Sequence, residues 1–199
     1  MKALIVVDVQ NDFCPGGALE VKEGDQVVPF INRIMGNYDF VCITQDWHPK
    51  NHGSFASVQN KDVFSMGELD GGPQVMWPDH CVQYSPGAQF HPELNAKEGE
   101  HWFFQKGEDP TVDSYSGFYD NNQKNPSGLD ELLRTKGVTE VDICGLATDY
   151  CVKFTALDAI KEGFKVRVLL EGCRGVNMNE GDVEKAVKEM EEVGIVVVS

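Results

Sequence analysis

The sequence has no Cys-x-x-Cys pair, although it contains six cysteines: Cys14, Cys42, Cys81, Cys144, Cys151 and Cys173. That absence removes the common thiol-redox and zinc-ribbon arrangements, which need two closely spaced sulfurs. An even cysteine count would also suit three disulfides. The spacings trace no disulfide framework, however, and a chain of 199 residues buries enough surface to do without staples. Long apolar runs are missing too. Ala3–Val7, which follows Met1-Lys2, is ended by Asp8 and is too short for the core of a secretory signal. No other stretch approaches the roughly 20 apolar residues of a membrane-spanning helix. Positive charge is scarce: 17 basic residues against 32 acidic ones leave a formal net charge of −15. Such a surface repels phosphate backbones and anionic headgroups, so neither nucleic acid nor membrane is expected as a partner. The expectation is a cytoplasmic protein with free thiols, its acidity serving solubility.

Neither a repeat nor a low-complexity segment divides the chain, and a single domain over residues 1–199 is expected. Short apolar, β-branched runs bounded by turn residues predict strands at Ala3–Val9, Phe40–Thr44, His101–Gln105, Val141–Cys144, Lys165–Leu170 and Ile195–Val198. Helical periodicity lies between them, over Val27–Met35, Leu129–Arg134 (with Ser127 as N-cap), Cys151–Glu162 and Val183–Val193. Strands apolar on both faces, alternating with helices, predict an α/β fold: a three-layer α/β/α domain around a mainly parallel six-stranded sheet. The exception is the segment at about 51–100, rich in Gly, Pro and polar residues. A non-periodic stretch of that length is usually a functional loop, and Phe55, Phe64, Trp77, His80, Tyr84 and Phe90 within it argue against disorder.

Ligands of open α/β sheets sit beyond the carboxyl ends of the strands. Asp8 follows the first predicted strand, Asp46 and His48 the second, Lys106 the third, and Gly145-Leu146-Ala147-Thr148-Asp149-Tyr150-Cys151 the fourth. An acid after one strand is often only a turn residue; a reactive residue after each of four strands is harder to explain that way. Cys151 falls at a predicted helix start, where free N–H groups and the dipole are expected to favour a thiolate. Lys106 would add to that effect, and Asp8 is a group able to accept the thiol proton and return it to a leaving amine. Asp46-Trp47-His48 places a carboxylate and an imidazole on one side of extended backbone, with His52 and His80 further along. One carboxylate with two histidines suits one divalent ion, with zinc ahead of manganese or Fe(II).

These segments resemble the nicotinamidase (pyrazinamidase) group of the isochorismatase-like cysteine hydrolases, across essentially the whole chain. The resemblance rests on Val6-Val7-Asp8-Val9-Gln10-Asn11-Asp12-Phe13, Gln45-Asp46-Trp47-His48-Pro49, Trp77-Pro78-Asp79-His80-Cys81, Lys106-Gly107 with Asp113-Ser114-Tyr115-Ser116, and Gly145 to Cys151. It implies Cys151 as nucleophile, Asp8 as proton-transfer carboxylate and Lys106 as their cationic partner. It implies Asp46, His48 and His80 as ligands of a divalent metal, with His52 a further ligand in some members. Phe13 and Trp77 match the aromatic pair that holds the pyridine ring, and Tyr115 falls with them at the substrate. A cis peptide would precede Ala147, whose N–H would hold the oxyanion together with that of Cys151. The activity implied is hydrolysis of nicotinamide to nicotinate and ammonia through a cysteine thioester, in NAD salvage, with pyrazinamide a second substrate. A homo-oligomer is compatible with the sequence. Two other chemistries stay open: another carboxamide, carbamoyl or isochorismate hydrolysis on the same scaffold, and a metallo-amidase using metal-activated water with Cys151 as bystander.

Overall fold

The computed structural model describes residues 1–199. Its strands are β1 (Lys2–Val7), β2 (Phe40–Asp46), β3 (Met66–Leu69), β4 (Gly72–Val75), β5 (Trp102–Lys106), β6 (Glu140–Leu146), β7 (Lys165–Arg174) and β8 (Val196–Val198). Six of them form one sheet in the order β5-β2-β1-β6-β7-β8, every neighbouring pair parallel. The sheet therefore contains no antiparallel strand. The two central strands are apolar because both of their faces are covered: Ala3 through Val7 have no solvent exposure, nor do Val141, Ile143, Cys144 and Leu146. The helices are α1 (Val27–Met35), α2 (Ala56–Gln59), α3 (Leu129–Thr135), α4 (Lys153–Lys161) and α5 (Asp182–Glu192). Helix α1 lays Val27, Val28, Ile31 and Met35 into the core, and α3 buries Leu129 and Leu133.

The departures from the sequence expectation lie at element ends and in the long loop. Strand β1 stops at Val7 rather than Val9, because Asp8 takes a left-handed backbone conformation (φ 48°) that no strand continues through. Helix α4 begins at Lys153, and Cys151 lies just before it in one wide π-type turn, Thr148–Val152. Gly128, at φ 89°, caps α3 in place of Ser127. The Ser127 hydroxyl still accepts the Leu129 N–H at 3.1 Å while donating to the Gly117 carbonyl. Between residues 51 and 100 the chain forms α2 and the β3–β4 hairpin, elements too short for periodicity to reveal. Backbone pairing pins this segment to the chain just beyond β2, where the His48 N–H donates to Cys81 and the Gln83 N–H to His48, and closes it on itself through the Trp77 N–H to Ser54. No helix is long and apolar enough to cross a membrane. All six cysteines are unpaired and buried.

Toward the other end of the sheet, β6 carries a buried carboxylate, Asp142, whose side chain has no exposure. Arg167 of β7 donates to both of its oxygens, and Tyr38 Oη donates to Oδ2 at 2.6 Å. Burial alone would raise the Asp142 pKa, but the Arg167 and Tyr38 hydrogen bonds hold it below the usual carboxylate value. A depressed carboxylate stabilises the fold at pH values above its unfolded pKa of about 3.9, and that contribution is lost as pH falls through the folded value. Asp142→Ala should therefore cost about 2–3 kcal/mol at pH 7; Arg167 is partly hydrated, which keeps the cost below that of a fully buried orphan charge. Urea unfolding of both proteins between pH 7 and pH 3 checks this, and the gap should narrow as pH falls.

Candidate active site

The carboxyl ends of β1, β2, β5 and β6 meet around one ammonium group. Lys106, the last residue of β5, is buried at 5% exposure. Its Nζ lies 2.9 Å from Asp8 Oδ2, donates to Asp46 Oδ1 and to the Ser114 carbonyl, and stands 3.5 Å from Cys151 Sγ. Asp8, the first residue beyond β1, has no exposure and accepts a hydrogen bond from Thr44 Oγ1 at 2.6 Å. Asp46 ends β2, and its backbone is clamped on both sides by the Gln10 carboxamide, which accepts the Asp46 N–H and donates to its carbonyl. A carboxylate oxygen of Asp8, one of Asp46 and the Cys151 sulfur lie within 4.8 Å of one another.

Burial and charge act on these groups in opposite directions. Burial works against the Lys106 cation, but Asp46 and then Asp8 raise its pKa well above the ordinary lysine value. Burial likewise opposes ionised Asp46, yet Lys106 and His48 hold it well below the carboxylate range. Asp8 is raised, mainly by burial, with Lys106 pulling it down and Asp46 pushing it up. Cys151 corrects the expectation of a thiolate. Burial pushes its thiol well above the ordinary value, Lys106 opposes this, and Asp8 and Asp46 reinforce it. The helix start and Lys106 do not offset enclosure beside two carboxylates, so the net shift of the thiol is upward.

Asp46 Oδ2 also faces two imidazoles, with His48 Nε2 at 3.6 Å and His80 Nε2 at 3.8 Å. Both separations are too long for hydrogen bonds and are of the order found between two ligands of one ion. The tautomers agree with that reading. His48 Nδ1 lies 2.9 Å from the Gly107 carbonyl, and His80 Nδ1 lies 2.7 Å from that of Pro78. A carbonyl only accepts, so each Nδ1 carries a proton and each Nε2 can point a free lone pair at the space beside Asp46. Gly107 is required here: at φ +72°, a Cβ on it would fall 2.3 Å from His48 Cε1. The buried, convergent one-carboxylate, two-imidazole set fits a divalent cation. His52 does not face this space. Its ring lies 4.3 Å from that of His48, inclined by 45°, while Nδ1 pairs with Ser54 Oγ at 2.7 Å and Nε2 faces the Val112 carbonyl. Both His52 nitrogens have partners, and His52 lies outside the Asp46–His48–His80 group, although with His48 and Asp113 it forms a second buried group of metal-type ligand atoms. Burial works against a charged His48, but Asp46 raises it above the ordinary imidazole value; burial and the neighbouring His48 in turn lower His52 and His80 to about 4.

A narrow, mostly apolar cavity joins the metal-type cluster to the sulfur. Phe13, Trp77 and Tyr115 line it, together with Asp46, His48, His80, Ala147 and Cys151. The Leu146–Ala147 peptide is cis, as the sequence resemblance implies, and the Ala147 N–H has no hydrogen-bond partner. Leu19, Asp113, Tyr150 and Val176 also line the cavity, without having been assigned there from sequence. Asp113 and Tyr150 stand inside the recognised motifs, where proximity to Tyr115 and Cys151 was the available signal. Leu19 and Val176 are apolar residues in loops, where sequence carries no sign of what they face.

Comparison with known proteins agrees with this geometry. The family described as "Isochorismatase domain" matches residues 2–199. The nicotinamidase of Escherichia coli (strain K12) is 51% identical over 197 residues, covering 97% of this chain and 92% of that protein. The structure of a nicotinamidase pyrazinamidase from Acinetobacter baumanii superposes with a TM-score of 0.95 at 44% identity, covering 100% of this chain and 95% of the other. That of a pyrazinamidase of Pyrococcus horikoshii in complex with zinc gives 0.82 at 39% identity, covering 100% and 98%. With the family pattern matched from the first strand to the last residue, and the same fold in these relatives, the chain belongs to the isochorismatase family.

Proposed function

We propose that this protein hydrolyses nicotinamide to nicotinate and ammonia, and pyrazinamide likewise, through a thioester on Cys151. One observation carries the reading: a single aromatic-walled cavity has Cys151 beside Lys106 and Asp8 at one side and the Asp46–His48–His80 cluster at the other. Such a cavity recognises a flat ring with a basic nitrogen at one end and a carboxamide at the other. The 51% identity to a protein named nicotinamidase supports the substrate, and a zinc-complexed relative supports zinc as the ion. As an enzyme of NAD salvage it would work in the cytoplasm.

The chemistry follows from residues already in contact. Asp8, its pKa raised, accepts the thiol proton as Cys151 Sγ attacks the carboxamide carbon. Lys106 stabilises the sulfur as its negative charge develops and holds Asp8 in place. The N–H groups of Ala147 and Cys151 receive the oxyanion. Asp8 then protonates the departing nitrogen, the C–N bond breaks and ammonia leaves a thioester. Water, deprotonated by Asp8, attacks the thioester carbon; nicotinate departs and the thiol regains its proton. Phe13, Trp77 and Tyr115 keep the ring in plane. A divalent ion held by Asp46, His48 and His80 would supply a Lewis-acid contact for the pyridine nitrogen.

Cys151→Ala should abolish ammonia release, by at least about 10³-fold, while retaining nicotinamide binding. Cys14→Ser, at a cysteine outside the cavity, should leave turnover intact. Steady-state ammonia assays with calorimetric titration check both, and near-normal turnover in Cys151→Ala would favour metal-activated water as the nucleophile instead. Benzamide replaces the ring nitrogen by C–H and is otherwise nearly isosteric. It should bind the zinc-loaded protein at least about tenfold more weakly than nicotinamide, a gap of about 1.4 kcal/mol. After chelation, or in His80→Ala, the gap should shrink toward zero; equal binding to the loaded form would show that the ion does not hold the ring.

A further inference from the structure

Asp12 touches none of the reacting atoms, yet it stands where three pocket-bearing segments cross. Its Oδ2 accepts the Cys81 N–H at 2.7 Å and its Oδ1 the Ala18 N–H at 3.1 Å. Its own carbonyl accepts the Leu19 N–H, and its N–H donates to the Gly87 carbonyl. The bonds to Cys81, Ala18 and Leu19 bear on cavity residues. Cys81 follows His80 directly, takes a strained left-handed backbone (φ 46°), and passes its carbonyl to the His48 N–H. Ala18 precedes Leu19, Asp12 itself precedes Phe13, and the Phe13 and His80 rings lie 5.6 Å apart. The chain also leaves room for this carboxylate. At Gly87 a Cβ would fall 2.1 Å from Asp12 Oδ2 and 2.3 Å from Oδ1.

We propose that Asp12 is a positioning residue: its carboxylate fixes the Cys81 backbone against His48, which sets His80 toward Asp46, and fixes the Ala18–Leu19 backbone against the ring pocket. The proposal rests on the metal and ring sites assigned above. A carboxylate is needed because both bonds are accepted from N–H groups. In an Asn side chain one end becomes an NH2 donor facing a second donor, so one of the two tethers is lost.

Two variants test this by different routes. Asp12→Asn removes one acceptor; Gly87→Ala keeps Asp12 but pushes its carboxylate aside. Zinc affinity is read by competition with a chromophoric chelator, together with nicotinamide KM and kcat at saturating zinc and with thermal unfolding. Both variants should raise the zinc Kd about tenfold, the low end for partners that orient metal ligands, because Asp12 acts through the backbone. Both should raise KM while kcat stays within about threefold, since Cys151, Asp8 and Lys106 do not touch Asp12. Unchanged zinc Kd and KM in the two variants, with only the unfolding temperature lowered, would overturn the proposal and leave Asp12 a loop-stabilising residue. The wild type separates this failure from that of the underlying reading: a wild-type protein that binds no zinc refutes the metal site itself. Should Asp12→Asn fail to fold, Gly87→Ala alone decides between these outcomes by the same measurements.

Discussion

A lysine ammonium at 5% exposure would be untenable alone, and the rest of the site exists in relation to the charges that make it tenable. Lys106 lies between Asp8 and Asp46, with the Ser114 carbonyl taking a further N–H and the Cys151 sulfur within reach. Three strands and the turn after a fourth are thereby tied at one point. The same contacts divide the labour. Asp8 faces the sulfur and Asp46 faces the imidazoles, so one cation organises both the proton-transfer half and the ring-binding half. A divalent cation beside Asp46 would add positive charge among the buried carboxylates Asp8, Asp46 and Asp113, which joins the electrostatics of the site to the donor geometry of Asp46, His48 and His80.

The protonation of Cys151 follows from the same enclosure. A helix start and a nearby lysine favour a thiolate at a partly open site. In a closed cavity beside two carboxylates, burial outweighs the helix start and the lysine and pushes the thiol up. Burial raises Asp8 as well, which narrows the gap between thiol and carboxyl that separates them at ordinary values of about 8.5 and 3.9. The pair is therefore suited to passing one proton back and forth, as the two halves of an amide hydrolysis require.

The long segment after β2 shows how a loop without periodicity becomes part of a rigid site. Its own elements are minor, but Cys81 and Gln83 pair with the backbone of His48 just beyond β2, and Trp77 pairs with Ser54 within the segment. Those bonds bring Trp77 and His80 to within reach of residues some thirty positions earlier. Side-chain acceptors complete the attachment: Asp12 for Cys81, and Asp113 for Gln74 of the hairpin. A ligand set split between a strand end and a loop is only as well placed as these attachments, which is why residues remote from the chemistry bear on it.

The amino-acid sequence by itself determined the parallel α/β architecture, because strands covered on both faces must be apolar throughout, and Ala3–Val7 and Val141–Cys144 are nearly so. It also determined which reactive side chains reach the sheet edge. Asp8, Asp46, Lys106 and the turn to Cys151 directly follow or end strands, and a parallel sheet brings such positions together whatever the loops do. Tertiary structure alone decided the rest. How the His48 and His52 rings are turned depends on the Gly107 and Val112 carbonyls, contacts made across about sixty residues, added to the local partners Pro78 for His80 and Ser54 for His52. That Leu19 and Val176 line the cavity, and that Asp12 fastens its walls, depends on loop crossings with no periodic signature. The protonation of Cys151 was decided there too, because a pKa follows from burial and from distances to other charges, and neither quantity is local in the chain.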